Sequence, residues 1–173
     1  METGAREMRT ARNDAPKTAR AGKYLSFLLG SEFYGIDILK VQEIIGIMPI
    51  TRVPRTPDFV RGVINLRGKV IPVIDLRLKF AMNATAQTAR TCVIVVQIFR
   101  NDAKFTTGLI VDEVSEVLDI RPDQIADSPS FGENVDTDYI HGMGKCGEKV
   151  MLLLDIDLVL SRDEISAVTQ AAN

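Results

Sequence analysis

Lys69-Val70-Ile71-Pro72-Val73-Ile74-Asp75 returns 80 positions later as Lys149-Val150-Met151-Leu152-Leu153-Leu154-Asp155. Each copy opens on lysine, runs through aliphatic residues and closes on aspartate, the composition of a buried strand entering a turn. The likeness continues upstream at the same displacement, with Asp58-Phe59-Val60-Arg61-Gly62 lying over Asp138-Tyr139-Ile140-His141-Gly142. A third match is displaced by 73: Gly35-Ile36-Asp37-Ile38-Leu39-Lys40-Val41-Gln42-Glu43-Ile44-Ile45 over Gly108-Leu109-Ile110-Val111-Asp112-Glu113-Val114-Ser115-Glu116-Val117-Leu118. Repetition that keeps its order points to a duplicated unit. The copies differ most in their turns, Asn65-Leu66-Arg67-Gly68 in the first and Lys145-Cys146-Gly147-Glu148 in the second.

Either copy alone is too small to bury much, so the two are expected to share an interface. Runs rich in β-branched residues predict strands over 24–29, 34–38, 70–76, 91–99, 105–111 and 150–156. Short helices are predicted over 39–45, 57–64 and 112–118, and another from about Ser161. Strands separated by turns, without long crossover helices, give a mainly β, largely antiparallel and barrel-like fold.

The chain has 173 residues, 46% of them hydrophobic and 25% charged, the balance of an ordinary globular protein. A net charge of -2 gives no reason to expect wholesale binding to nucleic acid or to an anionic membrane. Residues 1–23 carry six Lys/Arg against three Asp/Glu, a local +3 that leaves -5 for the remainder. This basic start, 1–22, reads as a disordered arm. It lacks the apolar stretch of a secretory signal, and no run approaches the length of a membrane span, so a cytoplasmic protein without membrane insertion is expected. Cys92 and Cys146 stand far apart, which argues against a disulfide scaffold or a metal knot. Cys92 reads as a small core residue and Cys146 as a turn residue.

Little in the chain suggests catalysis. His141 is the single histidine, and its counterpart in the repeat is Arg61, so an exposed turn position is expected. Gly142-Met143-Gly144-Lys145-Cys146-Gly147 spells G-x-G-x-x-G, but it reads as a loop before a strand, whereas a dinucleotide fingerprint opens a helix. Asp112, Glu113 and Glu116 would share the face of a short helix, an arrangement more typical of solvated surface than of an acid/base pair. Asp75 and Asp155 close equivalent strands and are expected to cap the next turn. Arg52, Arg55, Arg61 and Arg67 form a modest cluster with few aromatics between them, a weak basis for nucleic-acid recognition. No enzyme, cofactor or metal is expected, and a binding module remains.

For a binding module the first copy offers Val41 and Glu43, the bends at Gly62 and Gly68, and Arg67. The guanidinium suits bidentate pairing with a partner's carboxylate. It could equally close an internal salt bridge to Glu43 or Asp75. Asn65 is expected to brace its own turn.

The segments YGIDILKVQEI, TPDFVRGVINLRGKVIPVIDLRLKF and GLIVDEVSEVL closely resemble the CheW-like family of bacterial chemotaxis coupling proteins. The likeness runs in order from about Lys23 to Leu160, leaving out the basic arm and the Ala-rich tail after Val168. It implies two SH3-like five-stranded β-barrels packed around a shared core, with short connecting helices and a C-terminal helix. The implied division is an arm over 1–22, a CheW-like domain over 23–162 with halves near 23–85 and 90–160 that can exchange strands, and a helix end and tail over 163–173.

The resemblance also implies a function. A family member of this kind is a non-enzymatic adaptor joining the cytoplasmic tips of methyl-accepting chemotaxis receptors to the regulatory domain of the histidine kinase CheA, in membrane-associated arrays. A CheW-like adaptor of another chemosensory system, such as one for surface motility, is the alternative. The family's receptor-binding residues correspond here to Val41, Glu43, Gly62 and Arg67, with Val93 to Val95 nearby, so Val93 and Val95 join the candidate site. Kinase docking is expected on a separate apolar surface.

Overall fold

The computed structural model describes residues 20–100, 102–127 and 139–172, so the basic arm expected over 1–22 lies almost wholly outside the described residues. Eleven strands are described: β1 (Gly22–Leu29), β2 (Glu32–Asp37), β3 (Val41–Gly46), β4 (Val60–Leu66), β5 (Lys69–Asp75), β6 (Cys92–Arg100), β7 (Ala103–Val111), β8 (Glu113–Ile120), β9 (Ile125–Ala126), β10 (Ile140–Cys146) and β11 (Lys149–Leu154). Two helices join them, α1 (Leu76–Lys79) and the C-terminal α2 (Arg162–Ala172).

The strands form two sheets, ordered β8-β1-β2-β11-β10-β9 and β3-β6-β7-β5-β4. Replacing each strand by its counterpart in the repeat converts the order β8-β1-β2-β11-β10 into β3-β6-β7-β5-β4. Setting the short β9 aside, each sheet therefore takes two strands from one half of the chain and three from the other. The registers agree residue by residue. Gly35 faces Leu153 across the parallel β2–β11 pair, and Gly108 faces Val73 across β7–β5. The amide of Asp75 donates to the carbonyl of Phe59 at 2.8 Å, and that of Asp155 to Tyr139 at 2.7 Å. The fold is mainly β, as the repeat predicted, and the first sheet carries β9 as a short sixth strand beyond the expected five.

Three predicted helices are strands. The segments 39–45, 57–64 and 112–118 lie largely in β3, β4 and β8, with only a short 3-10 turn at Ile38–Lys40. In each sheet a β-bulge explains the helical look. Val41 faces Val96 and Glu43 faces Val95, so Gln42 is an extra residue; likewise Leu25 faces Val117 and Phe27 faces Val114, leaving two residues of β8 opposite Ser26. An inserted residue breaks the period of two and leaves apolar positions four apart, as in Val41/Ile45 and Val114/Leu118. The Gly142–Cys146 segment, read as a loop, is the body of β10. Asp112, Glu113 and Glu116 consequently share no helix face.

Alternation along the strands sorts three cores. Val93 and Val95 join Ile64, Ile71 and Val73 inside one barrel, while Ile94, Val96 and Ile98 of the same strand face the shared core. Tyr24, Ile120, Met151 and Leu153 fill the other barrel. The shared core takes Leu25, Phe27, Leu29 and Ile36 from the first half and Leu109, Val111 and Leu154 from the second. A row of stacked rings, Phe27–Tyr34–Phe80–Tyr139, runs through it with centroids 5.8, 5.6 and 4.9 Å apart.

Polar groups pin the seams. Asp75 and Asp155 do cap, their carboxylates accepting from the amides of Arg77 and Asp157. Arg77 then reaches Asp112 with Nε and Nη2, at 2.8 and 2.7 Å, and Asp112 also accepts from the amide of Gly30. Burial works to raise the Asp112 pKa, but the hydrogen bonds from Arg77 and Gly30 outweigh it and hold the carboxyl below its usual range. At the equivalent seam the charges are reversed, with Lys40 donating to Asp157 at 2.7 Å.

Candidate functional site

The hairpin of β4 and β5 closes between Leu66 and Lys69, so Arg67 and Gly68 are its two central residues. Both have positive φ, +52° and +86°, the geometry of a primed two-residue turn that follows the twist of the strands. Glycine accepts this freely; an arginine there costs about 1–2 kcal/mol. The amide of Gly68 donates to Oδ1 of Asn65 at 2.8 Å, the bracing expected of that residue.

Arg67 folds toward β3, its Nη2 standing 2.5 Å from Oε2 of Glu43. Asp75, the other candidate partner, is taken by Arg61 at 3.7 Å. The Arg67 side chain nevertheless stays 70% exposed, against 31% for Glu43. Its guanidinium, held more firmly protonated by the Glu43 hydrogen bond, carries donors to spare.

Beside this pair lies a recess of about 230 Å³. Gln42 and Glu43 form one wall, Leu66, Arg67 and Lys69 the other, and Ile71 and Thr106 lie at its base. Gln42, Leu66, Ile71 and Thr106 escaped the sequence reading. The alternation of Leu66, Lys69 and Ile71 around a two-residue turn was the available signal, but it needs the hairpin register to be interpreted.

The other candidates fall in different places. Val95 lies opposite Glu43 and Val93 opposite Ile45, yet each is only 1% exposed inside the barrel. They back the site and do not reach its surface, which corrects the expectation that they stand beside Arg67 as contact residues. Val41 turns to the shared core, because the bulge at Gln42 puts it on the face opposite Glu43. Gly62 lies buried farther back on β4, at φ +140°. A Cβ there would stand 2.1 Å from the carbonyl oxygen of Thr51, which accepts from the amide of Val63 at 2.8 Å. Gly62 thus lets the 47–51 segment close on β4, and only Glu43 and Arg67 of the six candidates meet in one exposed place.

One further expectation changes. His141 lies on β10, half-buried, with Nε2 lacking a hydrogen-bond partner among the described residues. Burial lowers its pKa, with Asp155 and Asp37 opposing, so it is neither exposed nor charged at neutral pH. Burial raises the pKa of both Cys92 and Cys146, so both are protonated thiols at neutral pH. Among the described residues, no helix is long and apolar enough to cross a membrane.

Comparison with known proteins gives a consistent result. The family model described as a CheW-like domain matches residues 23–164. A chemotaxis protein CheW from Klebsiella aerogenes is 45% identical over 150 residues, spanning 87% of this chain and 88% of that protein. One from Helicobacter pylori is 36% identical, spanning 82% of each. Among solved structures, the scaffolding protein TtCheW from Thermoanaerobacter tengcongensis superposes with a TM-score of 0.72 at 34% identity, covering 84% of this chain and 96% of that one.

Proposed function

The chain belongs to the CheW-like family, and on that premise we propose that it is a non-enzymatic adaptor coupling chemoreceptor tips to the histidine kinase CheA. The observation that carries this reading is the exposed Arg67–Glu43 pair beside an open recess, on a turn where arginine is conformationally costly. Strain of that kind at a surface position is a reason to look for a role of the side chain.

In this reading a receptor helix lays its apolar side along the half-buried Leu66, with Ile71 buried beneath it as the base of the recess. Its carboxylates compete with Glu43 for the guanidinium, the helix-in-groove mode with a charged rim. Val93 and Val95 hold β3 at its distance, and Gly62 and Val41 hold the barrel's shape. The kinase uses another surface, and the protein works in the cytoplasm at receptor arrays. Coupling requires no bond to be made or broken; it follows from which assembly geometry the receptor favours.

Reconstitution with cognate receptor and kinase tests the proposal. The chain is expected to bring kinase activity under receptor control, and Arg67→Glu to abolish that control. Receptor control that is the same with and without the chain would overturn the adaptor reading.

A further inference from the structure

The segment leading into β4 carries charge that the Arg67 turn does not use. Residues 47–61 hold three arginines against one aspartate, a local +2 in a chain of net charge -2. The segment is irregular but tied down. Thr51 pairs with Val63, the Thr56 hydroxyl donates to the Val53 carbonyl at 2.9 Å, and the Pro57 carbonyl accepts from the amide of Val60 at 2.9 Å. Arg55 follows Pro54 in a turn, at φ +63°, where glycine sits freely and a side chain is strained.

Beside this segment lies a recess of about 370 Å³, at the end of β4 away from Arg67 and about 20 Å from it along the strand. Arg52, Arg55 and Arg61 line it, together with Asp58 and Gln87. Arg52 and Arg55 are exposed and have no ion-pair partner among the described residues. Arg61 reaches Asp75 only at 3.7 Å, too long for a hydrogen bond, so its guanidinium keeps donors to spare. Asp58 shares the recess but forms an ion pair with none of the three.

Three guanidiniums in one place suit an oxygen-rich anion. No aromatic ring lines the recess, so a nucleotide base would have nothing to stack on. Asp58 narrows the choice. Its carboxylate repels sulfate and any partner's carboxylate, neither of which carries a proton to offer at neutral pH. Inorganic phosphate keeps at least one hydroxyl there and can donate it to Asp58 while its other oxygens accept from the arginines. A phosphate monoester, whose second pKa is about 6, has largely lost that proton.

We propose that this recess is a site for inorganic phosphate, with Arg52, Arg55 and Arg61 donating to its oxygens and Asp58 accepting from its hydroxyl. The site goes beyond the adaptor reading and does not depend on it.

Titration of the isotope-labelled full chain, followed by nuclear magnetic resonance slightly above neutral pH at constant ionic strength, tests the proposal. The side-chain Nε–Hε signals of Arg52, Arg55 and Arg61 are expected to shift and saturate with inorganic phosphate. Sulfate and methyl phosphate should need about ten times the concentration, the worth of one charge-assisted hydrogen bond in an open site. Asp58→Asn should bring phosphate and sulfate to similar concentrations. Arg55→Gly should weaken phosphate binding several-fold without lowering the melting temperature in phosphate-free buffer, because glycine suits φ +63°. Phosphate and sulfate acting alike on the wild-type protein would reduce the site to a nonspecific ion atmosphere and overturn the proposal. So would the absence of any shift, methyl phosphate binding as well as inorganic phosphate, a preference that Asp58→Asn leaves unchanged, or binding that survives Arg55→Gly intact.

Discussion

The tips Asn65-Leu66-Arg67-Gly68 and Lys145-Cys146-Gly147-Glu148 stand on sheets whose registers match pair for pair, yet they present opposite chemistry. In the first, an arginine at positive φ crosses to Glu43; in the second, glycine takes the strained position, and Glu116 has no ion-pair partner among the described residues. Duplication preserved what the backbone needs, namely the bulges, the capping aspartates and the parallel strand pairs. Divergence collected at the turns, where a side chain can change without disturbing the ladder.

The largest expected effect tests whether the halves form one cooperative unit. Leu109 is fully buried in the shared core, between strands drawn from both halves. Leu109→Ala should cost about 2–5 kcal/mol, and denaturant unfolding should remain a single transition. Two resolved transitions would mean that the barrels are independent despite their exchanged strands.

Next come the equivalent glycines under the parallel pairs. A Cβ at Gly108 would stand 2.7 Å from Cγ1 of Val93, and one at Gly35 would stand 2.9 Å from Sδ of Met151. Valine is stiff at χ1, whereas methionine can rotate away. Gly108→Ala is therefore expected to lose about 1–3 kcal/mol, with Gly35→Ala losing less; equal melting temperatures would show that the two barrel interiors yield alike.

The seams sharpen the comparison further. Asp112→Asn removes a charge-assisted pair with Arg77 and should cost about 1–3 kcal/mol at neutral pH. Because folding lowers the Asp112 pKa, its contribution is full above the unfolded value of about 3.9 and is lost as pH falls through the lower folded value. The wild-type and Asn variant stabilities should thus converge below about pH 4. A difference independent of pH would assign the effect to packing. Smallest of all in stability is Arg67→Ala, expected to leave the melting temperature unchanged because the pair lies at the surface.

Much of this architecture was legible in the sequence. The displacements of 73 and 80 exposed the repeat, and Asp75, Asp155 and Asn65 took the local roles their chemistry suggests. The helical reading of 39–45 and 112–118 failed because a bulge mimics helical spacing, and no local pattern announces an unpaired residue. Strand exchange leaves no trace in composition. Val93 and Val95 entered through the family resemblance, and their burial was not legible because alternation says that neighbours face opposite ways, but not which face is inside.

The question left by Arg67 is whether its pairing with Glu43 matters for itself or for presenting a guanidinium to a receptor. A charge exchange, Glu43→Arg with Arg67→Glu, separates the two in the reconstituted receptor–kinase assay. The account predicts a folded protein with its ion pair re-formed in reverse and no receptor control of the kinase. Full receptor control in the exchanged protein would contradict it, reducing Arg67 to one half of an internal salt bridge.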